Sequence, residues 1–279
     1  MLAKVYRPEN YGGGGHCWFV QPKLDGMRML YDCDSGVGKS RNGKENKTGR
    51  LATLLHALRA ASFSDVFNHA AGDVRPRMLD GELYRHGDSF HDIMTAVHAG
   101  DPTLEYHVFD IVDANMPFPA RYDLLARVLA SAPAATRALV KLVPTVRLDS
   151  SEEVEAYLDT TVGDGYEGIM LRSPEGVYES KRSSRLLKYK RFQDAEFLVV
   201  GFKPHALHGV VWKCSTAGGG TFFANPTAAL HRQTTNANPV SFVGLKLTVK
   251  YQDLHVPSGV PRFPIAKAFR VDDNCARFT

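Results

Sequence analysis

The spacing of apolar residues changes near residue 192, and this change divides the chain of 279 residues into two parts. Before that point, strand-like runs and helical patterns follow one another. After it, helical patterns nearly vanish, and about five short strand-like runs are separated by Gly, Pro and Asn. We therefore predict two domains, 1–192 and 193–279, the second a small antiparallel β-barrel whose leading candidate is the OB-fold.

The first part predicts an α+β domain of mixed antiparallel sheets with helices. Strand-like runs include CWFVQPKL, RMLDGELY, EYHVFDIV and LVKLVPTVRL. Apolar residues at helical spacing fall in 50–61 and 121–132, and a capping box from Ser150 to Glu153 opens a third helix. Strands and helices alternate irregularly, which favours α+β over a repeating βαβ chain.

Composition excludes several classes of protein. Apolar residues make up 44% of the chain and charged residues 23%, as in ordinary globular proteins. No apolar run reaches the roughly 18 residues of a membrane span, and the opening residues lack the apolar core of a secretory signal. Four scattered cysteines without C-x-x-C pairing argue against a disulfide scaffold or a cysteine zinc site, and for a reducing compartment.

Positive charge is concentrated in two short segments. Residues 39–50 hold five basic residues against one acid, and residues 181–191 hold six against none. Residues 193–279 carry nine basic against five acidic residues, which accounts for the net charge of +4 (9 − 5 = 4). Each segment is either a solvated face or a surface that follows a phosphate backbone.

Six short motifs place charged or aromatic residues in or beside apolar strands. Taken singly, each has an ordinary structural interpretation: Asp25 and Gly26 as a hairpin turn, Phe109 as core, Lys188 and Lys190 as the wet face of a strand. Taken together and in order, they indicate one site. The motifs are K-x-D-G-x-R at 23–28, S-R-x-G at 40–43, D-G-E at 80–82, F-D at 109–110, E-G at 167–168 and K-x-K at 188–190.

This ordered series resembles the covalent nucleotidyltransferase superfamily of polynucleotide ligases and messenger-RNA capping enzymes. The segment VPRFPIAKAFR at 260–270 resembles the closing motif of ATP-dependent DNA ligases. The chain is most similar in plan to the minimal two-domain ligases of viruses, phages and bacteria. The resemblance implies a nucleotidyltransferase (adenylation) domain over 1–192 and an OB-fold domain over 193–279.

The resemblance implies that Lys23 attacks the α-phosphate of ATP and becomes covalently bound to AMP. An amine attacks only when it is deprotonated, and burial among cations beside a divalent metal favours that form. AMP is then passed to the 5′-phosphate of a nick, and the 3′-hydroxyl displaces it. The implied cofactors are ATP and Mg²⁺ or Mn²⁺, and the implied partner is nicked double-stranded DNA. We expect a monomer away from membranes, cytoplasmic, and in the host-cell cytoplasm if a virus encodes it.

The same resemblance gives each motif residue a role. Arg28, Lys188 and Lys190 are expected to supply positive charge and contact phosphates. Gln21 is expected to read the purine edge through its carbonyl oxygen, although a side-chain amide can adopt either of two orientations. The remaining assignments are Glu82 to the ribose, Phe109 to the adenine ring, Glu82 and Glu167 to the metal, Arg262 and Arg270 to pyrophosphate, and Arg41, Lys44, Lys181 and Arg182 to the nucleic acid.

Other functions share part of this pattern. Capping guanylyltransferases usually end in R-x-D-K, where this chain has FRVDD. RNA ligases generally lack the R-F-P element, and NAD⁺-dependent ligases carry an extra N-terminal module and a tetracysteine zinc site. A non-catalytic nucleic-acid binder would use the barrel and its basic face alone. Formation of a covalent AMP adduct separates that last class from the enzymes.

Overall fold

The computed structural model describes residues 1–10, 17–46, 78–255 and 258–270. The chain divides into two compact units, Met1–Lys190 and Arg191–Thr279. The helix predicted over 50–61 and the last basic residues of segment 39–50 lie outside the described residues. Within the described ranges, no helix is both long enough and apolar enough to cross a membrane.

Strands and helices of the first unit follow one another irregularly, and the prediction of an α+β fold with several antiparallel sheets is confirmed. The strands are β1 (Leu2–Val5), β2 (Trp18–Lys23), β3 (Met27–Asp32), β4 (Val37–Ser40), β5 (Met78–Tyr84), β6 (Glu105–Ile111), β7 (Val140–Leu142), β8 (Val146–Leu148), β9 (Gly168–Arg172) and β10 (Arg182–Tyr189). The described helices are α1 (Phe90–Ala99), α2 (Phe118–Ser131), α3 (Ala134–Leu139) and α4 (Ser151–Gly163).

Two five-stranded sheets form the framework of this unit. The first has the order β1-β10-β9-β2-β8 and the second the order β4-β3-β5-β6-β7. Helix α4 packs against the first sheet, where Val154 and Leu158 join a buried cluster with Ile169 and Leu171. Helices α1 and α2 cover one face of the second sheet through Ile93, Leu125 and other buried apolar residues. Each sheet therefore buries one face under helices and leaves its other face available to form a site.

The local predictions were confirmed where capping and periodicity were strong. Helix α4 begins at the predicted capping box, in which the Ser150 hydroxyl accepts from the Glu153 amide. The run LVKLVPTVRL is not one strand, because Pro144 interrupts it and its halves join different sheets as β7 and β8. Helix α1 was not predicted. Its capping box uses Asp92 where the usual pattern has Glu or Gln.

The second unit is built mainly of strands. Its elements are β11 (Gln193–His205), β12 (Gly209–Ser215), β13 (Thr221–Pro226), α5 (Ala228–Thr234), β14 (Lys246–Tyr251), β15 (Leu254–His255), β16 (Val260–Pro261) and β17 (Ile265–Phe269). Five of the strands close into a barrel in the order β11-β12-β13-β17-β14. The barrel is not wholly antiparallel, because β13 and β17 pair in parallel. Its core contains Trp212, Leu247 and Val249.

Candidate active site

The alternation of side chains along the strands places several motif residues around one cavity. Successive side chains of a strand point to opposite faces, so residues two apart share a face. Gln21 and Lys23 therefore share a face of β2, and Asp80 and Glu82 share a face of β5. A cavity of about 250 Å³ lies against both faces. The predicted site residues that line it are Gln21, Lys23, Arg28, Arg41, Glu82, Phe109, Arg182 and Lys188.

Lys23 is held beside Glu167 through both its backbone and its side chain. The backbone amide of Glu167 donates to the carbonyl oxygen of Lys23 at 3.1 Å, and Nζ of Lys23 donates to Oε2 of Glu167. Nζ of Lys190 donates to the other carboxylate oxygen, Oε1, at 2.5 Å. Burial opposes ionisation of Glu167, but the two ammonium groups outweigh it and lower its pKa. One buried carboxylate is thus shared between two cations.

Two motif glycines are required by close approach of neighbouring strands. Gly168 has a φ of +150°, and a Cβ there would lie 2.4 Å from the carbonyl oxygen of Tyr189 and 2.9 Å from Cβ of Lys190. A Cβ on Gly26 would lie 2.3 Å from the carbonyl oxygen of Leu83. The hairpin interpretation of Asp25 and Gly26 was wrong, because β2 and β3 belong to different sheets. This glycine instead lets the chain pass close to β5.

Arg28 lines the cavity, but most of its hydrogen bonds go to protein atoms. Nε and Nη2 donate to the two carboxylate oxygens of Asp80 at 2.8 and 2.6 Å. Nη1 donates to the carbonyl oxygen of Met1 at 2.7 Å, and Nη2 also donates to the Tyr178 hydroxyl at 3.2 Å. The sequence predicted a phosphate contact for Arg28 and no role for Asp80. The guanidinium thus joins β3 to β5 through Asp80 while the side chain lines the cavity.

Glu82 and Lys188 are two of the ionisable groups that line the cavity and have shifted pKa values. Burial raises the pKa of Glu82 to about 8, although the Lys23 ammonium opposes the shift. No hydrogen bond to the Glu82 carboxyl comes from any residue that the structure describes. Burial, followed by repulsion from Lys190 and Lys23, lowers the pKa of Lys188. The cavity therefore contains Glu82, whose neutral form is favoured, and Lys188, whose charged form is less favoured than in water.

Gln21 is fixed by three hydrogen bonds that the sequence did not indicate. Nε of Arg172 donates to Oε1 of Gln21 at 2.7 Å. The amide nitrogen of Gln21 donates to the carbonyl oxygen of Phe109 at 3.2 Å and to Oγ1 of Thr145 at 2.9 Å. Gln21 is 1% exposed and Arg172 4% exposed, and both line the cavity. These three hydrogen bonds set the orientation of the Gln21 amide, which the sequence left open.

A buried ionic cluster stands behind Arg172. Asp110 accepts from Nη1 of Arg172 at 2.6 Å and from Nε and Nη2 of Arg121 at 2.7 and 3.0 Å. Asp110 is fully buried, so the two guanidinium groups supply the partners that its charge requires. The sequence analysis assigned Arg121 and Arg172 no role. The sequence did contain a signal for this pairing, because a charged residue within an apolar strand run such as VFDIV or EGIMLR requires a buried partner.

Apolar side chains form the remaining walls of the cavity. Phe109 is half-buried and packs in a small cluster with Leu24 and Val143. Phe109, Leu24, Met170 and Leu186 all line the cavity. A space bounded by an aromatic ring and aliphatic side chains, with polar groups at one end, suits a flat heteroaromatic ring.

Arg41 and Lys44 lie on the exposed turn that follows β4. Gly43 of that turn has a φ of +77°, a conformation that glycine adopts readily. Arg41 lines both the cavity and a neighbouring groove of about 820 Å³, and Lys44 lines the groove. Phe90 and Met94 of α1 also line the groove. The groove thus combines a basic edge with an apolar one.

Lys181 precedes β10, and Arg182 is the first residue of that strand; both are exposed. Arg182 lines the cavity and donates from Nη1 to the carbonyl oxygen of Ala3 at 2.6 Å. Lys181 is exposed and pairs with Glu179 at 3.2 Å. These two predicted nucleic-acid contacts therefore differ, since only Arg182 is tied to the cavity.

The predicted cations of the closing motif belong to the second unit. Arg262 lies with its guanidinium carbon 5.7 Å from the ring centre of Phe263. Phe263 has a φ of 54°, the only positive value outside glycine among the described residues. Nε of Arg270 pairs with Glu196 at 2.5 Å on the exposed surface of the barrel. The terminal VDD of the motif lies outside the described residues.

Metal-binding capacity is confined to isolated carboxylates in the part of the chain that the structure describes. That part contains no group of three or more His, Cys, Asp or Glu side chains placed to hold a metal ion. Mg²⁺ is commonly bound by one or two carboxylates together with substrate phosphates. Glu82 and Glu167 meet that smaller requirement, because Glu167 contacts Lys23 and Glu82 lines the same cavity as Lys23.

Known proteins similar to this chain are DNA ligases. Residues 1–190 match the family model of the ATP dependent DNA ligase domain. A DNA ligase of African swine fever virus is 28% identical over 219 residues, which are 71% of this chain and 52% of that protein. A DNA ligase of Haemophilus influenzae is 26% identical over 207 residues, which are 72% of this chain and 66% of that protein.

Similarity in three dimensions extends over nearly the whole chain. A solved structure of a Lig E DNA ligase covers 97% of this chain and 98% of its own, with a TM-score of 0.76 and 23% identity. That likeness shows a shared fold. The chain spans about half the length of the viral relatives that it matches.

Proposed function

The chain belongs to the ATP-dependent DNA ligase family, and we propose that it seals nicks bearing a 3′-hydroxyl and a 5′-phosphate in duplex DNA. The observation that carries this proposal is the position of Lys23. Its ammonium group lines the same cavity as Phe109, Glu82 and Lys188, beside the carboxylate of Glu167. A nucleophile, a slot for a flat ring and cations for phosphate are thereby combined in one enclosed space.

In the first step, Nζ of Lys23 attacks the α-phosphate of ATP. A nitrogen–phosphorus bond forms, the bond to the bridging oxygen breaks, and pyrophosphate leaves with its electron pair. Nζ must give up a proton, and Oε2 of Glu167, which accepts its hydrogen bond, is placed to receive that proton. Positioning and neutralisation of charge supply most of the acceleration in transfers of this kind.

The cavity suggests how the nucleotide is oriented. Adenine lies between Phe109 and Met170, and the uncommitted carboxyl of Glu82 hydrogen-bonds the ribose hydroxyls. Lys188 contacts the α-phosphate, and its lowered pKa is offset when phosphate approaches. Arg28 adds positive charge at the wall while Asp80 holds it in place. Lys190 acts indirectly, because it pairs with Glu167, the same carboxylate that pairs with Lys23.

Mg²⁺ or Mn²⁺ fits the donor set as a cation held by Glu167 and Glu82 together with phosphate oxygens. Such an ion would neutralise phosphate charge and so favour the leaving of pyrophosphate. The donor chemistry agrees, because Glu167 is ionised and Glu82 has no protein partner among the described residues. Binding of the ion would favour the ionised form of Glu82.

In the later steps, AMP passes to the 5′-phosphate of the nick, and the 3′-hydroxyl then displaces it. Arg41 is suited to hold the 5′-phosphate, since it lies at the border of the cavity and the groove. Lys44, Lys181 and Arg182 contact the phosphate backbone. We assign the barrel of the second unit to the OB-fold, with Arg262 and Arg270 directed at pyrophosphate during the first step and the enzyme acting as a monomer.

Incubation with α-labelled ATP and Mg²⁺, followed by denaturing electrophoresis, tests the proposal. Label is expected on the wild-type chain and absent from Lys23→Ala, whereas Lys141→Ala, a matched change in β7, retains it. Lys23→Ala is also expected to seal a nick that already carries AMP, because that step does not need the amine. Parallel assays with a nicked DNA duplex, RNA ends and triphosphate-ended RNA separate ligation from capping. A Lys23→Ala chain that still takes up label contradicts the proposal.

A further inference from the structure

A cluster of aromatic rings joins the second sheet to the turn that carries Glu167. Resting on the proposed function, we propose that Tyr166 is a positioning residue, whose ring fixes the carboxylate of Glu167 at the amine of Lys23. The sequence analysis assigned no role to any ring of this cluster. Its members are Tyr84, His86, His107 and Tyr166.

The backbone at Tyr166 is tied to two different elements. The amide of Tyr166 donates back to the carbonyl oxygen of Thr161 at 3.1 Å, in the last turns of helix α4. The next amide, that of Glu167, donates to the carbonyl oxygen of Lys23 at 3.1 Å. Two consecutive residues therefore join α4 to the strand that carries the nucleophile. These bonds fix the main chain of the turn, and the ring of Tyr166 adds a third anchor.

The ring of Tyr166 is anchored to residues at the end of β5. It stacks on Tyr84 with ring centres 6.4 Å apart and planes inclined by 27°, and the ring of His86 lies 4.7 Å away, centre to centre. Tyr84 is 4% exposed, and its hydroxyl oxygen lies 2.9 Å from Nδ1 of His86. His107 packs edge-on against Tyr84 at 5.3 Å. Stacked and edge-on rings attract one another, so the cluster holds Tyr166 from the side of the second sheet.

This cluster connects two acidic residues of the site. Tyr84 follows Glu82 by two residues on β5, so both side chains lie on the same face of that strand. Tyr166 precedes Glu167 by one residue. Contact between the two tyrosines therefore holds the strand of Glu82 against the turn of Glu167. Because the Glu167 carboxylate also contacts Lys23, a displaced turn would move the proton acceptor relative to the amine.

Tyr166 affects the reaction only through this geometry. It does not line the cavity, and neither do Tyr84 and His86, so the ring does not touch the nucleotide. No hydrogen bond between described residues uses the Tyr166 hydroxyl, which leaves the ring as the part that positions the turn. Misplacing a reacting group by about 1 Å can cost about 100-fold in rate. Loss of the ring is therefore expected to slow the chemical step without weakening ATP binding.

The test measures the rate of Lys23–AMP formation over a range of ATP concentrations, by intact-protein mass spectrometry of the full chain. Tyr166→Ala is expected to lower the maximal rate by about 10–100-fold and to change the half-saturating ATP concentration by less than about twofold. Tyr166→Phe keeps the ring and is expected to react as the wild type does. Tyr122→Ala removes another half-buried ring of the first unit. This control is expected to lower the melting temperature and to keep the maximal rate.

A double-mutant cycle separates positioning from a general loss of stability. In the Glu167→Gln background no carboxylate remains to be placed, so Tyr166→Ala is expected to lower the rate further by less than about threefold. A residue that only stabilises the fold would give the same factor in both backgrounds. Tyr166→Leu keeps part of the apolar volume, and it replaces the alanine variant in the cycle if that variant does not fold.

Three results would overturn the inference. The first is a wild-type maximal rate in Tyr166→Ala or Tyr166→Leu, and the second is a loss that appears only in the half-saturating ATP concentration. The third is an equal loss with and without the Glu167 carboxylate. Each of these leaves the proposed function intact, because the wild type still forms Lys23–AMP. A wild-type chain that forms no adduct would instead refute the proposed function, and the role of Tyr166 with it.

Discussion

Two sets of cations in this molecule pair with carboxylates that differ in burial. In the first unit, Lys23 and Lys190 share the single carboxylate of Glu167, whose side chain is 5% exposed. In the second unit, Lys267 and Arg270 have separate carboxylates, Asp194 and Glu196, and side chains that are 43% and 61% exposed. The first arrangement is buried, while the second is exposed and has Lys246 as a further cation, 3.9 Å from Glu196.

The difference teaches which arrangement is rigid and which can exchange partners. Removing one member of a buried pair leaves an uncompensated charge and typically costs about 3–5 kcal/mol. An exposed pair is worth about 0–1 kcal/mol and is weakened by salt. The cluster at Lys23 is therefore fixed by the fold. The pairs of Lys267 and Arg270 are weak enough for a phosphate to replace the carboxylate.

The largest effect is expected from Glu167→Gln. Without the carboxylate, two ammonium groups face each other, so the free energy of unfolding should fall by about 3 kcal/mol and lysyl-AMP formation by about 100-fold or more. Because the two ammonium groups lower the pKa of Glu167, its stabilisation is present above the usual glutamate pKa of 4.5 and is lost as the pH falls through the folded pKa. Denaturant unfolding at pH 7 and pH 3 measures this. Glu152→Gln on the exposed first turn of α4 is the control, and equal losses in both variants would contradict the buried pairing.

A smaller effect, confined to one step, is expected from Arg270→Ala. Adduct formation from ATP should fall by about 10–100-fold, whereas sealing of a nick that already carries AMP should be unchanged, because no pyrophosphate leaves in that step. Single-turnover rates of the two steps measure this split. Arg232→Ala on α5 serves as the control. Equal losses in both steps would mean that Arg270 only stabilises the barrel.

The third effect concerns stability and its dependence on pH. Because burial raises the pKa of Glu82 to about 8, the folded state holds the proton more tightly than the unfolded state. Its contribution is therefore complete below about pH 4.5 and is lost as the pH rises to about 8. Gln at this position does not titrate. The melting temperature of Glu82→Gln relative to that of the wild type should therefore rise between pH 5 and pH 8.5. A constant difference across that range would rule out the raised pKa.

The smallest effect is expected from Glu196→Gln. Loss of an exposed partner should change the free energy of unfolding by less than about 1 kcal/mol. Arg270 would then be released for phosphate, so adduct formation at low ATP should rise by up to about fivefold, the same energy expressed as a ratio. High salt should remove the difference. A decrease in adduct formation would show that Glu196 orients Arg270 rather than competing for it.

The sequence allowed much of the site to be predicted, because strands make residues two apart neighbours. Lys23, Glu82, Phe109 and Lys188 line one cavity as the ordered motifs indicated. The sequence could not show that Glu167 joins Lys23 to Lys190, since that contact depends on how β9 and β10 pair. Pairing register is a property of whole sheets and not of the local pattern.

The buried partners were missed for a related reason. Asp80, Arg121 and Arg172 are satisfied only by residues distant in the chain, and a single sequence does not identify which charges meet. The role of Arg28 was predicted from its motif alone, and its bidentate bond to Asp80 was invisible at that level. Helix α1 escaped prediction because an Asp replaced the usual capping residue.

The first sheet joins segments that are made at very different times. Leu2 pairs with Arg182, and Lys23 pairs with Gly168. A ribosome that adds roughly 5–20 residues per second needs on the order of ten seconds to reach β9 after finishing β2. Until β8 and β9 have been made, the strand that carries Lys23 lacks both of its partners, with Val20 and Trp18 open to solvent or to other chains. Such long-range pairing slows folding, so we expect newly made chains to need protection from aggregation before the cavity exists.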